Sequence, residues 1–106
     1  MTTKTLDPIP HPARHELELA AVLHALSDPM RLRIVAGLAR SEDGRSCGSF
    51  LLPVTKSTCT HHFKVLREAG VIRQRQEGTA RLNTLRRDDL DARFPGLLDT
   101  VLAAAG

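Results

Sequence analysis

The sequence predicts a mainly α-helical domain with one small β-hairpin, an α+β arrangement of about five helices and two strands. Three observations carry it. Apolar residues recur at helical spacing before Gly70 and again near the C-terminus, strand-like alternation replaces that period between Val71 and Leu85, and 106 residues hold one domain. A chain of this length buries roughly 65% of the surface its unfolded form exposes, enough for one core with little to spare.

Residues 1–11, punctuated by Pro8 and Pro10, predict a flexible arm, and residues 12–106 the folded domain. Pro12 suits the first turn of a helix, with Glu16 and Glu18 near its positive end. Leu17, Leu19, Val22, Leu23 and Leu26 cover more than one stripe, so this helix needs a core and a further partner, for which a subunit interface is a candidate. Asp28 and Pro29 read as N-cap and first residue of a second helix, whose period is set by Leu32, Val35, Ala36 and Ala39 and which ends at residues 41–44. The short apolar piece Cys47–Leu52, stopped by Pro53, is expected to be a short helix. Thr55 caps the next helix, which runs through Cys59, Phe63 and Leu66 to Gly70. Val71–Gln76 and Thr79–Leu85 read as strands joined at Glu77-Gly78, and Asp88 or Asp89 is expected to cap a last helix that Pro95 kinks or divides. A short helix, a turn, a second helix and then a basic hairpin is the winged helix-turn-helix order.

Charge is distributed unevenly. Residues 53–87 carry eight Lys/Arg against two Asp/Glu, whereas residues 1–52 balance at six against six and residues 88–106 carry one against four. A basic block in a neutral chain is the footprint of a polyanion-binding face. With three Phe, no Trp and no Tyr, the chain lacks the flat rings that sugar clefts and single-strand stacking platforms use. Cys47 and Cys59 match neither a redox pair nor a zinc knuckle, no apolar run approaches membrane-spanning length, and MTTKTLDPIPHP has no apolar signal core. A cytoplasmic protein with reduced thiols and no membrane association is expected.

With Cys59, Phe63 and Leu66 turned to the core, Ser57, Thr60, His61, Lys64 and Glu68 fall on the opposite side, and His62 flanks the core stripe. Hydroxyls and an imidazole suit base edges in a major groove, Lys64 suits a phosphate, and the helix start at Thr55, Lys56 and Ser57 offers free N–H groups to an anion. Arg73 and Arg75, at period two, and Arg81 across the turn suit phosphate or minor-groove contact. The expected DNA-binding set is thus Lys56, Ser57, Thr60, His61, Lys64, Arg73, Arg75 and Arg81. If the first helix starts early, His11 and His15 are i, i+4 with Glu18 on the same side, a spacing that can hold Zn or Ni. His61-His62 point about 100° apart on a helix and chelate one ion poorly. A cysteine hydrolase using Cys59 with His61 or His62 is disfavoured, because Cys59 faces the core and no glycine-rich loop or carboxylate constellation accompanies it. No catalytic residues are assigned.

Two motifs carry a family resemblance. Ala25-Leu26-Ser27-Asp28-Pro29-Met30-Arg31-Leu32-Arg33-Ile34 and Ser57-Thr58-Cys59-Thr60-His61-His62-Phe63-Lys64-Val65-Leu66-Arg67-Glu68-Ala69-Gly70-Val71-Ile72 resemble, in this order, the ArsR/SmtB family of bacterial winged-helix repressors, over about Leu19 to Leu85. The resemblance implies a homodimer joined through its first and last helices, repression at a double-stranded operator, and release on binding a metal or other signal. The family's sensor sets depart here: Gly44-Arg45-Ser46-Cys47 has no C-x-C pair, and residues 86–106 contain no histidine. The alternative is a winged-helix subunit whose sensing comes from a partner protein.

Overall fold

The computed structural model describes residues 9–41, 44–50 and 53–105. Its second helix, α2 (Pro29–Ala39), starts where cap chemistry places it. Asp28 is extended, and its carboxylate accepts from the N–H of Met30 (2.9 Å) and of Arg31 (3.1 Å), with Pro29 leading the helix. Ile34, Val35 and Leu38 are buried on its inner side.

The first helix, α1 (Leu19–Leu26), begins seven residues later than Pro12 suggests. Glu16 accepts from the Ala13 N–H at 2.7 Å and closes a 3-10 turn at Arg14–Glu16, after which Leu17 and Glu18 are extended. Leu17 is thereby drawn into the core, where only 1% of it is exposed. Its seat is provided by Gly70, at which a Cβ would collide with Leu17 Cδ2. Residues 9–17 therefore form a docked strap. The His11 ring accepts from the Gln74 N–H at 2.9 Å, the Pro12 carbonyl accepts from Arg86 at 2.7 Å, and the Leu17 carbonyl accepts from Arg93. Of the expected flexible arm, residues 1–8 lie outside the described residues.

The segment before the helix-turn-helix turn also differs from expectation. A two-residue strand, β1 (Arg45–Ser46), precedes a 3-10 turn at Cys47–Ser49, while residues 51 and 52 of the expected short helix lie outside the described residues. The recognition-type helix α3 (Lys56–Ala69) is capped by Thr55, whose hydroxyl accepts from the Thr58 N–H at 3.2 Å. It ends at Gly70, left-handed with φ 86°.

The hairpin follows, β2 (Ile72–Glu77) and β3 (Ala80–Leu85), with Glu77 opposite Ala80. The turn is thus Gly78-Thr79, one residue beyond the expected pair, because Gly78 takes the positive φ (61°) at the first turn position. β1 pairs with β3, Arg45 opposite Asn83, so the expected two-stranded wing is a three-stranded antiparallel sheet in the order β1-β3-β2.

Pro95 divides the last helical stretch, as expected, into α4 (Arg87–Arg93) and α5 (Leu97–Ala105), with Gly96 at φ 83° between them. Neither Asp88 nor Asp89 caps α4. The cap position is Arg86, and both aspartates sit in the first turn. Asp89 is committed elsewhere, to Arg14 (2.7 Å), Arg86 (2.8 Å) and Arg73 (3.5 Å). Leu90 and Leu98 close the core around Val22, Ile34, Phe63 and Leu66.

Candidate nucleic-acid interface

On α3 the inward stripe is Cys59, Phe63 and Leu66, all buried, and each expected outer residue is exposed: Lys56, Ser57, Thr60, His61, Lys64 and Glu68. The first turn is stiffened by hydroxyls, Thr55 donating to Thr58 Oγ1 at 2.9 Å with Ser57 Oγ 3.3 Å away. The two histidines divide. His61 is exposed and His62 is buried. The outer face therefore offers hydroxyls, one imidazole and two lysines, a set that fits base edges and phosphates.

The wing's cations lie on both faces of the sheet. Alternation buries Ile72 and Gln74 and exposes Arg73 and Arg75. Cross-strand partners share a face, so Arg81, opposite Gln76, projects from the other side from Arg73 and Arg75. Arg73 reaches Asp89 at 3.5 Å and Arg75 reaches Glu77 at 3.6 Å. The Arg75–Glu77 pair is exposed on both sides, and such pairs are worth about 0–1 kcal/mol, so a phosphate can replace the Glu77 carboxylate at little loss. Among the described residues, Lys56, Lys64 and Arg81 make no ion pair.

A buried polar chain fixes the wing to the end of α3. Arg67 donates to Gln74 Oε1 (2.9 Å), Gln74 Nε2 donates to Asn83 Oδ1 (2.7 Å), and Asn83 Nδ2 donates to the Arg45 carbonyl (2.9 Å). Gln74 and Asn83 are 6% and 0% exposed, so the wing is anchored by polar groups inside the protein. Sequence reasoning missed them. Their signal was a polar residue at the period-two position that Ile72 assigns to the core.

Comparison with known proteins agrees with this geometry. The helix-turn-helix domain family matches residues 26–75, from the end of α1 into β2. The uncharacterized HTH-type transcriptional regulator YceK of Bacillus subtilis is 37% identical over 84 residues, 77% of this chain and 84% of that protein. A second uncharacterized HTH-type transcriptional regulator, from Methanocaldococcus jannaschii, is 36% identical over 63 residues, 57% of this chain and 68% of its own. The solved structure of an ArsR-like transcriptional regulator from Rhodococcus sp. RHA1 superposes with a TM-score of 0.60 at 28% identity, covering 81% of this chain and 87% of that one. The chain is an ArsR-like winged helix-turn-helix transcriptional regulator.

In this regulator the candidate metal residues are not brought together. His11 lies on the extended part of the strap, His15 in the 3-10 turn, and Glu18 is extended and exposed. Among the described residues no three His, Cys, Asp or Glu side chains form a group that could hold a metal ion. Burial holds the His11 ring below the ordinary histidine range; a backbone hydrogen bond with Ile9 opposes this, and the charges of Arg73, Arg86 and Arg67 add to it. Hydrogen bonds from Arg14 and then Arg86 hold Asp89 below the usual carboxylate range against the opposing effect of burial. Of the thiol and imidazoles considered from sequence, Cys59 is a buried core residue of α3, His61 is exposed, and His62 is buried with its Nδ1 3.2 Å from Arg31. Among the described residues no helix is long and apolar enough to cross a membrane.

Proposed function

We propose that this regulator is a homodimeric repressor that inserts α3 into the major groove of a double-stranded operator and grips flanking phosphates with its wing. The observation that carries the reading is the division of α3 into a buried apolar stripe and an exposed face of Lys56, Ser57, Thr60, His61 and Lys64. Ser57, Thr60 and His61 read bases; Lys56, Lys64, Arg73, Arg75 and Arg81 hold the backbone. Dimerisation is supported by Leu19 and Leu23, i and i+4 on α1, which are 47% and 46% exposed. Two equivalent half-sites then lie about 34–36 Å apart, or a multiple of that. Repression is relieved by a signal. Because His11 Nε2 already accepts the Gln74 N–H, a sensor protein docking on the dimer fits better than a metal held by His11, His15 and Glu18.

Selection of bound sequences from a random duplex library, followed by titration of the recovered operator at several salt concentrations, tests this. A two-fold symmetric site and an affinity that falls steeply with salt are expected. Recovery of no common sequence, or salt-insensitive binding, refutes it.

A further inference from the structure

The two motifs that carry the family resemblance meet at one buried contact. Arg31, in the first turn of α2, is 8% exposed, and so is His62 of α3. At the C-terminal end of α1 the Arg31 guanidinium donates through Nε to the Ala25 carbonyl at 2.7 Å and through Nη2 to the His24 carbonyl at 3.3 Å, which also accepts from the Ser27 N–H and hydroxyl. Its Nη1 lies 3.2 Å from His62 Nδ1. A guanidinium has no acceptor, so His62 Nδ1 accepts and the ring proton sits on Nε2, which faces the Asp28 carboxylate at 3.9 Å. That same carboxylate caps α2. One planar fork thus joins the end of α1, the start of α2 and the middle of α3.

His62 is a buried polar side chain in the middle of α3, and its neighbours Thr60, His61 and Lys64 form the exposed face. Successive helical residues are turned by about 100°, so whatever fixes His62 fixes the direction of the outer face. We propose that Arg31 is a positioning residue for DNA recognition: by tying His62 to the end of α1 it sets the rotation of α3 and passes displacements of α1 to Ser57, Thr60 and His61. This rests on the groove contact proposed above and names what aims it. A rigid fork with three acceptors adds a fixed angle to the apolar packing of α3.

The test combines Arg31→Lys, His62→Gln and His62→Leu in the full chain with binding to the selected operator and to a random duplex. A lysine keeps the charge but presents no planar fork. Arg31→Lys is expected to weaken operator binding about tenfold, the size of one misaimed base contact, and random-duplex binding less than about twofold. The slope of log affinity against log salt stays unchanged, because no phosphate contact is lost. His62→Gln retains an acceptor for Arg31 and should keep most of the operator preference that His62→Leu loses. Independently of any variant, nitrogen-15 spectra of the wild-type imidazoles should show an unprotonated Nδ1 at His62. Equal losses on both duplexes, a shallower salt slope, equal behaviour of the Gln and Leu variants, or a proton on His62 Nδ1 overturns the proposal. A wild-type protein that binds no duplex overturns the DNA reading itself, and one that binds but keeps its preference in Arg31→Lys overturns only the coupling.

Discussion

Replacing Gly70 with alanine loads two separable strains onto the junction between α3 and the wing. Gly70 is left-handed with φ 86°, a conformation that an L-residue adopts at about 1–2 kcal/mol. The added methyl also enters the space of Leu17 Cδ2, with Leu17 Cγ at 3.3 Å and Pro12 Cγ at 3.4 Å behind it. Leu17 is 1% exposed, and expelling it forfeits up to about 1.5–3 kcal/mol of burial. Gly70→Ala should therefore destabilise the fold by about 2.5–5 kcal/mol, a large share of the ~5–15 kcal/mol typical of a domain. Truncating the obstacle isolates the two terms. In a Leu17→Ala background the collision is gone, and the same change at Gly70 should cost only the backbone term of about 1–2 kcal/mol. Urea unfolding of the wild type, both single variants and the double variant closes the cycle. If Gly70→Ala costs the same in both backgrounds, within about 0.5 kcal/mol, Leu17 is not seated on Gly70 and the docked strap is wrong.

Three further outcomes follow from the site. Lys64→Ala and Arg81→Ala should each lower the magnitude of the salt slope by about 1.8, about 0.9 for each protomer of the dimer, and weaken operator and random duplex alike, as salt titrations would read; an unchanged slope removes that residue from the phosphate set. Asn83→Ala orphans Gln74 Nε2 and the Arg45 carbonyl, and should destabilise the fold by about 2–4 kcal/mol in urea; a change under about 0.5 kcal/mol would show that the polar chain does not anchor the wing. His11 is held below its ordinary value of 6.5, so its neutral form favours the folded state. Its contribution is complete above the unfolded pKa and is lost as pH falls through the folded one. Between about pH 7.5 and pH 5 the wild type should lose more stability than His11→Gln, whose side chain accepts without titrating; an equal or smaller loss would count against the His11–Gln74 bond.

Features set by neighbouring residues were legible in the sequence. Asp28 with Pro29, and Thr55 with Gly70, bracket helices through side chains that act within three residues or through one left-handed position. The facing of α3 followed from its 3.6 period, and the residues it exposed are the ones expected to meet DNA. What was hidden depends on distant partners. β1 is two residues long, too short for alternation to register, and exists because Asn83 and Leu82 of β3 lie beside it. The late start of α1 depends on a socket at Gly70, and Asp89 was misread as a cap because Arg14, 75 positions away, competes for its carboxylate. The misplaced turn moved Arg81's partner by two residues, from Gln74 to Gln76, and so left its face unchanged.

The strap has a further consequence for the regulator's life in a crowded solution. β2 is an outer strand of the sheet, and an outer strand presents unpaired backbone groups on which another chain can template itself. The His11 imidazole occupies the Gln74 amide in the middle of that margin and puts a bulky ring where a foreign strand would begin to pair. A shortened chain begun at Ala13 would keep every residue expected to read DNA, yet leave that margin bare. It should be prone to edge-to-edge assembly that the longer chain resists.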